Sequence, residues 1–364
     1  MTCHSTIGDL KGKDFGSAPR AAVKVVAQHS IGEPELISVT DPGNPGEGEV
    51  RVRMSLCAIG TAEVRAVQGH RILLGGQRVD REHPFMFGFA GVGVVEVSRA
   101  SSIVEGQRVV VTPFETCGLC RFCLAEDEMH CITSRVLSGI DAGSNGLMRE
   151  VLVLPARRVL PIPASIGDAE GCIISEIATA VHLCQRCGVA PGVSIAVVGT
   201  GRHGQHTIRV AAGLGAAPIV GIDPSAAARS AALKNGAQTV YKDIPDSGSF
   251  DVVIHCTADT NCVGRCCDIT RQGGTLALFG TPSAEQPDVY IEQAAERIVL
   301  GERRLIGSAS KGTASFRSAI ELMRHPAFSL GLGQTEIVSL DMAPETLRLA
   351  ANGEKPGTSL FVRM

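Results

Sequence analysis

The chain has no tryptophan and only two tyrosines among its 364 residues. Few aromatic side chains are therefore available to stack on bases. It also has no excess of positive charge, because its formal net charge is -3 at pH 7, and such a surface does little to neutralise a phosphate backbone. These two shortages argue against a nucleic-acid partner.

Long apolar runs are missing as well. The longest, at about 84–97, is too short and too rich in glycine to span a bilayer. The N-terminal segment MTCHSTIGDLKGKDF lacks the basic and apolar regions of a signal peptide. We therefore expect a cytoplasmic protein that has no membrane partner.

Cysteine, by contrast, is abundant, with 13 residues. An odd number in a chain of this length is typical of intracellular thiols plus a metal site. Cys117, Cys120, Cys123 and Cys131 follow the spacing C-x2-C-x2-C-x7-C, and four thiolates this close in sequence can bind one tetrahedral zinc. An iron–sulfur cluster can use the same ligands, but we favour a closed structural zinc. The other paired cysteines are expected to be ordinary thiols of helices: Cys184 and Cys187, and Cys262, Cys266 and Cys267.

The pattern of apolar residues changes along the chain. Residues 1–20 show no periodicity and are expected to form a flexible tail. Residues 21–167 contain short β-rich segments between turns, which predicts an all-β first half. From 168 to 310 the apolar strands SIAVVGTG, APIVGID, FDVVIHCT and TLALFGT alternate with helical segments. This alternation predicts an α/β fold with a doubly wound parallel sheet, the Rossmann arrangement.

A glycine motif follows the first of these strands. Gly199, Gly201 and Gly204 form G-T-G-R-H-G at the start of a helix, where free N–H groups can bind a pyrophosphate. Asp223 ends the next strand, where a carboxylate accepts hydrogen bonds from the adenosine ribose. A glycine turn in an unrelated α/β unit is the alternative interpretation. Within the motif Arg202 and His203 are expected near the cofactor, and His206 is expected to be structural.

Together these segments resemble the zinc-containing alcohol dehydrogenases of the medium-chain dehydrogenase/reductase superfamily, from about residue 21 to 364. The resemblance is carried by GEPELISVTDPGNPGEGEVRVR, CGLCRFC, VVGTGRHGQH with Asp223, and RQGGTLALFG. It implies a GroES-like catalytic domain built from residues 21–167 and 311–364, with a structural zinc lobe at 115–133. It also implies a small-molecule substrate in the interdomain cleft and a homodimer or homotetramer. Thr179 and Gly280 are further candidates for cofactor contacts.

The sequence departs from that family at the catalytic zinc. The family's ligands are a cysteine in G-I-C-G-T-D, a histidine in G-H-E and a cysteine or glutamate before the Rossmann domain. Aligned without gaps, these positions hold Gly60, then Phe89 and Ala90, and lastly Ser175 or, after a one-residue shift, Glu176. At most one ligand remains, so we predict one zinc per chain. Rescue of the metal site by nearby residues is the alternative: Cys57, His70 and His83.

The predicted function is NAD(H)-dependent hydride transfer between nicotinamide and a small-molecule alcohol or carbonyl, without a catalytic zinc. Glu63, Ser175 and Glu176 are the candidate acid and base groups. Two alternatives stay open: reduction of an activated C=N or C=C bond, and NAD binding without turnover. NAD is expected over NADP because Asp223 repels a 2′-phosphate and Arg229 is the only nearby cation.

Overall fold

The computed structural model describes residues 21–69, 79–133, 135–136, 146–279, 292–308, 312–326, 328 and 330–364. The expected tail at 1–20, and the candidates His70 and Gly280, lie outside these residues. The strands of the first half are β1 (Ala22–Gln28), β2 (Pro34–Thr40), β3 (Glu49–Ile59), β4 (Phe85–Met86), β5 (Gly91–Ser98), β6 (Arg108–Val111), β7 (Phe114–Glu115), β8 (Arg135–Val136), β9 (Val151–Pro155) and β10 (Val159–Pro161). The later strands are β11 (Ile195–Val198), β12 (Ile219–Ile222), β13 (Thr239–Tyr241), β14 (Phe250–His255), β15 (Thr270–Leu278), β16 (Arg304–Gly307), β17 (Gln334–Ser339) and β18 (Thr358–Arg363).

The helices connect and cover these strands. They are α1 (Thr61–Val67), α2 (Arg121–Leu124), α3 (Asp168–Cys187), α4 (Arg202–Gly213), α5 (Ala226–Lys234), α6 (Val263–Ile269), α7 (Glu292–Leu300), α8 (Thr313–Arg324) and α9 (Ala343–Ala351). None of the helices in the described residues is both long enough and apolar enough to cross a membrane.

The main sheet of the first half also contains the end of the chain. Its strand order is β10-β6-β5-β3-β18-β17, and β9 pairs with β3 outside this path. Strand β18 lies antiparallel to β3, with Phe361 opposite Ala58, and its residues Leu360, Phe361 and Val362 are buried. Burial of this apolar strand holds the C-terminal segment against the first half. The exact boundaries at 167, 168, 310 and 311 stay predictions.

The expectation of an all-β first half is wrong between β3 and β4, where α1 forms. Gly60 precedes this helix, and the Glu63 carboxylate accepts a hydrogen bond from the Gly60 N–H at 2.9 Å. A carboxylate at the third helical position that reaches back to the preceding N–H satisfies a donor left free at the helix start. The helix was not predicted because apolar residues alternate around this segment, as they do in a β-strand.

The second half contains a fully parallel sheet. Its strands run in the order β13-β12-β11-β14-β15-β16, and each neighbouring pair is parallel. Every residue of β11 and β12 is buried, because helices cover both faces of a sheet of this kind. The predicted α/β fold with a doubly wound sheet is confirmed.

Helix α3 joins the two halves. The thiol of Cys172 donates to the carbonyl oxygen of Leu56 on β3 at 3.3 Å, and one hydrophobic cluster extends from Leu56 through Ile177 to Ile195 on β11. Ser175, Glu176 and Thr179 therefore lie on the helix that packs against both sheets.

Candidate active site

The glycine motif forms a tight turn between β11 and α4. Gly199 has φ +88°, and a Cβ built there would lie 3.0 Å from the Cys256 carbonyl carbon. A Cβ at Gly204 would lie 2.1 Å from the Gly199 oxygen, whereas one at Gly201 would meet nothing within 4 Å. The first and third glycines thus allow close packing, and the second leaves open space beside the start of α4. This open space at a helix start suits a pyrophosphate.

Asp223 lies directly beside that turn. Its two oxygens accept hydrogen bonds from the N–H groups of Thr200 and Ser225, each at 2.8 Å. The Arg229 guanidinium donates to the carbonyl oxygens of Asp223 and Pro224, at 2.8 and 2.9 Å. The Asp223 side chain is therefore fixed at the end of β12, where the sequence predicts a ribose ligand, and the Arg229 guanidinium lies against the backbone of the same turn.

The other cofactor candidates surround the same turn. The His203 ring packs edge-on against Phe279 at the end of β15, with 5.3 Å between ring centres. Thr179 is buried, and its hydroxyl donates to the Ser175 carbonyl oxygen one turn earlier at 3.0 Å. Ser175 is buried as well. The structure thus brings His203 to the glycine turn, while the Thr179 hydroxyl proton is engaged within α3.

A charged cluster connects α3 to the start of α4. The Arg202 Nε donates to both oxygens of Glu176, at 2.9 and 2.7 Å, and His206 Nε2 lies 2.8 Å from Glu176 Oε2. Burial alone would raise the pKa of Glu176, but the Arg202 charge and the His206 contact hold that pKa well below its usual range. The Glu176 charge in turn raises the pKa of Arg202. Glu176 is therefore a carboxylate held by two partners.

The second candidate carboxylate, Glu63, is held by backbone groups. Besides the Gly60 N–H, it accepts a hydrogen bond from the Phe89 N–H at 2.8 Å, and it is only 1% exposed. Burial raises its pKa, and the nearby Glu176 charge adds to this effect. Its contacts tie α1 to the segment before β5, which is a positioning role.

Gly60 lies between these two carboxylates. A Cβ built at Gly60 would lie 3.3 Å from Glu63 Oε2 and 3.4 Å from Glu176 Oε1. Gly60, which takes the place of the family's cysteine ligand, thus faces the charged cluster. Of the two candidates for the last ligand position, Glu176 and not Ser175 has its side chain beside Gly60. His206, which the sequence analysis treated as structural, belongs to this cluster.

Cys57, His70 and His83 were considered as alternative ligands for a second metal. The two that the structure describes, Cys57 and His83, lie outside the charged cluster. Cys57 is fully buried in the core of the first half, and burial raises the pKa of its thiol well above the usual range. His83 is exposed and pairs with Asp80 at 3.1 Å. His70 lies outside the described residues. Neither Cys57 nor His83 contacts the charged cluster through a hydrogen bond or ion pair in the described part of the chain.

The four cysteines of the loop around α2 form a compact group. Their sulfur atoms all lie within 4.8 Å of one another, with Cys117 to Cys123 at 3.8 Å and both Cys120 to Cys123 and Cys117 to Cys131 at 3.6 Å. A tetrahedral zinc with Zn–S bonds of about 2.3 Å separates its sulfurs by about 3.8 Å. These four residues therefore fit a closed zinc site.

Backbone groups prepare this cluster for metal. The N–H of Cys120 donates to the Cys117 sulfur at 3.3 Å, and the N–H of Cys117 donates to the Cys131 sulfur at 3.4 Å. The latter bond helps to lower the pKa of Cys131 to about 6. The loop is joined to the rest of the chain by Glu128, whose carboxylate accepts from the Thr313 N–H at 2.7 Å. These contacts suit a structural zinc site, which would hold the four-cysteine loop in place.

Known protein families and individual proteins are similar to both halves of the chain. A model of the alcohol dehydrogenase GroES-like domain matches residues 46–164, and a model of zinc-binding dehydrogenases matches residues 204–325. L-idonate 5-dehydrogenase (NAD(P)(+)) of Escherichia coli is 23% identical over 284 residues, which cover 74% of this chain and 80% of that protein. Sorbitol dehydrogenase of Homo sapiens is 28% identical over 292 residues, covering 74% and 78%. The crystal structure of the E. coli L-idonate 5-dehydrogenase shares the fold, with a TM-score of 0.81 and 21% identity over 94% of this chain and 99% of that one.

Proposed function

Because the chain belongs to the zinc-type alcohol dehydrogenase-like members of the medium-chain dehydrogenase/reductase superfamily, we propose that it transfers hydride between NAD(H) and a small-molecule alcohol or ketone without a catalytic zinc. It is a dehydrogenase of the medium-chain type. The proposal concerns the choice of NAD, the absence of a second zinc and the groups that replace it.

The pairing of Glu176 carries this proposal. Both of its oxygens face the Arg202 guanidinium, and one also contacts His206. A dication bound by Glu176 would have to lie beside that fixed positive charge, and Gly60, Phe89 and Ala90 have no side-chain donor atoms to compensate. A catalytic zinc normally has three protein ligands and an open position. The charged cluster therefore supports a site in which a guanidinium takes the place of the metal.

Arg202 can supply the charge that reduction of a carbonyl requires. Its Nε is used by Glu176, and in the described part of the chain neither Nη atom has a hydrogen-bond partner. When bound, the nicotinamide supplies the hydride. The Arg202 Nη donors would stabilise the negative charge that develops on the substrate oxygen, which then takes up a proton from solvent.

Replacement of Arg202 tests the role of the guanidinium. We expect Arg202→Met to lower kcat/KM for reduction of aldehydes or ketones by about a hundredfold, with the Kd for NADH changed less than about threefold. Arg209→Met, on the same helix but bonded to Asn235, is the matched control and should retain activity within about threefold. Loss of NADH binding in parallel with activity would instead make Arg202 a cofactor ligand.

The metal content and the substrate range test the rest. Elemental analysis should find one zinc per chain, and two would overturn the metal-free site. NADH oxidation should be followed with aldehydes, ketones, enones and cyclic imines. Turnover confined to enones or imines would shift the function to reduction of an activated bond, and binding of NADH without any turnover would contradict the enzymatic proposal.

A further inference from the structure

Helix α8 begins without a capping side chain of its own. The residue before it is Gly312, which has no side chain to accept a hydrogen bond. The first N–H groups of a helix have no partner within the helix. The N–H of Thr313 instead donates to the Glu128 carboxylate at 2.7 Å, and these two residues are 185 positions apart. A distant segment of the chain therefore caps α8.

The two segments approach each other closely at this point. A Cβ built at Gly312 would lie 3.7 Å from Glu128 Oε2 and 3.8 Å from the Glu126 carbonyl oxygen. Glu128 is half-buried, and Thr313 is 7% exposed. A carboxylate at a helix start satisfies a free N–H and also interacts favourably with the helix dipole. Glu128 is thus a charged cap that is partly shielded from water.

The four-cysteine loop sets the position of Glu128. Glu128 is one of the seven residues between Cys123 and Cys131, and its carbonyl oxygen accepts from the Cys131 N–H at 3.0 Å. Near the other end of this segment, the Glu126 N–H donates to the Cys123 carbonyl oxygen at 3.1 Å. Cys123 and Cys131 belong to the four sulfurs that fit a zinc. A bound zinc would therefore hold both ends of the segment that carries Glu128.

A second contact joins the same loop to α8, but it is exposed. The Arg317 guanidinium lies 3.5 Å from the Glu126 carboxylate, and the two side chains are 58% and 69% exposed. Exposed ion pairs of this kind contribute little to stability. Glu126 therefore offers a control, because its side chain contacts α8 without capping it.

The first turn of α8 lies in the interior of the protein. Ser315 is 4% exposed and Phe316 is fully buried. The Phe316 ring packs edge-on against Phe114, with 6.1 Å between ring centres. Phe316 also belongs to the same hydrophobic cluster as Ile177 of α3, the helix that joins the two halves. Order in the first turn of α8 thus affects its packing against α3.

We propose that the four-cysteine loop is a zinc-dependent cap of α8. When its four thiolates bind zinc, the loop presents the Glu128 carboxylate to the Thr313 N–H and stabilises the first turn of the helix. Without zinc the loop buries few apolar side chains to keep its shape, so the N–H loses its acceptor. The state of the metal site is transmitted in this way to the helix that packs against α3. This coupling involves neither the dinucleotide site nor the Glu176 cluster.

The coupling acts in both directions. If zinc stabilises the capped helix by a given factor, the cap must strengthen zinc binding by the same factor. Loss of one helix cap should make the first turn open about tenfold more often. We therefore expect Glu128→Ala to weaken zinc binding about tenfold, which corresponds to ~1.4 kcal/mol, although Glu128 is not a zinc ligand.

Hydrogen–deuterium exchange followed by mass spectrometry tests the effect of zinc on the full-length protein. After a chelator has removed the zinc, a peptide covering residues 312–320 should exchange at least about tenfold faster than in the zinc-loaded protein. A peptide covering residues 217–224, around the buried strand β12, should change less than about twofold. Unchanged exchange at the start of α8, or an equal increase in both peptides, would overturn the proposal.

Variants of the zinc-loaded protein separate the cap from the metal. Glu128→Ala should speed exchange at residues 312–320 about tenfold, and Glu128→Gln, which keeps an acceptor oxygen, should retain most of the protection. Glu126→Ala should exchange like wild type. Competition with a chromophoric chelator should show about tenfold weaker zinc binding for Glu128→Ala and less than about threefold for Glu126→Ala. Wild-type exchange at α8 or wild-type zinc affinity in Glu128→Ala would contradict the coupling.

Discussion

At the scale of single residues, Asp223 and Arg229 have opposite effects on the preference for NADH over NADPH. The carboxylate is fixed by two N–H groups at the end of β12, and the guanidinium lies against the Asp223 and Pro224 carbonyls. A negative charge here repels a 2′-phosphate, while a cation within reach would bind it. The carboxylate is the group at the strand end, so we expect it to dominate.

Asp223→Ala should therefore reduce the preference for NADH. We expect the wild-type protein to bind NADH at least about tenfold more tightly than NADPH, roughly 1.4 kcal/mol, and the variant to bind both within about threefold. Titration by nicotinamide fluorescence gives both Kd values. The double variant with Arg229→Ala should lose any gained NADPH affinity, and equal wild-type affinities would contradict the assignment.

At the scale of structural elements, the four-cysteine loop has little structure of its own. Helix α2 contains only four residues, and Leu119, Leu124 and Ile132 around it are exposed. A segment that buries so few apolar side chains gains little from packing, so we expect its order to depend on a bound zinc. A zinc bound by all four cysteines would have no open coordination position for a substrate.

Cys120→Ser should lower stability rather than turnover. We expect the Tm to fall by at least about 5 °C, with the loss of one zinc per chain, since three thiolates hold the metal less tightly than four. Differential scanning fluorimetry and elemental analysis measure the two effects. Cys262→Ser, the same change outside the loop, should keep both values. A variant with normal Tm and zinc content would show that the loop is not a zinc site.

At the scale of the whole molecule, the Glu176 cluster links parts that are distant in the chain. Glu176 on α3 binds the first turn of α4, and Gly60 at the end of β3 lies beside it. Glu63 connects the same point to the segment before β5. The proposed active site and the junction of the two halves therefore depend on the same buried charges.

Acid should weaken this junction. A carboxylate whose pKa is depressed in the folded state contributes stability above its unfolded pKa of about 4.3, and this contribution is lost as the pH falls toward the folded value. We expect Glu176→Gln to lower the free energy of unfolding by about 3 kcal/mol at pH 7. The difference from wild type should shrink below about pH 5.

Urea unfolding at several pH values measures this difference. Glu345→Gln, which removes an exposed ion pair with Arg348, is the control and should cost less than about 0.5 kcal/mol. A Glu176→Gln penalty that stays constant down to pH 3 would show that its stabilising effect does not arise from the charge.

Features that depend on short sequence spacing were predictable. Three glycines after an apolar strand indicate the turn at Gly199, because at each position the absence of a side chain allows either close packing or open space for a ligand. Four closely spaced cysteines indicate a metal site because their sulfurs reach one point with little intervening chain. The alternation of apolar strands and helices likewise predicted the parallel sheet. The helix α1 was missed, although Gly60 and Glu63 carry a local capping signal.

Contacts between distant segments were decided only by the tertiary structure. Glu176 meets Arg202 and His206 across 26 and 30 residues, and their partnership depends on how α3 packs against α4. The sequence by itself determined which chemical groups are present, and that Gly60 and Phe89 offer no metal ligands. The fold decided that Glu176 faces a guanidinium, because packing of α3 against α4 fixes which buried polar groups must pair with one another.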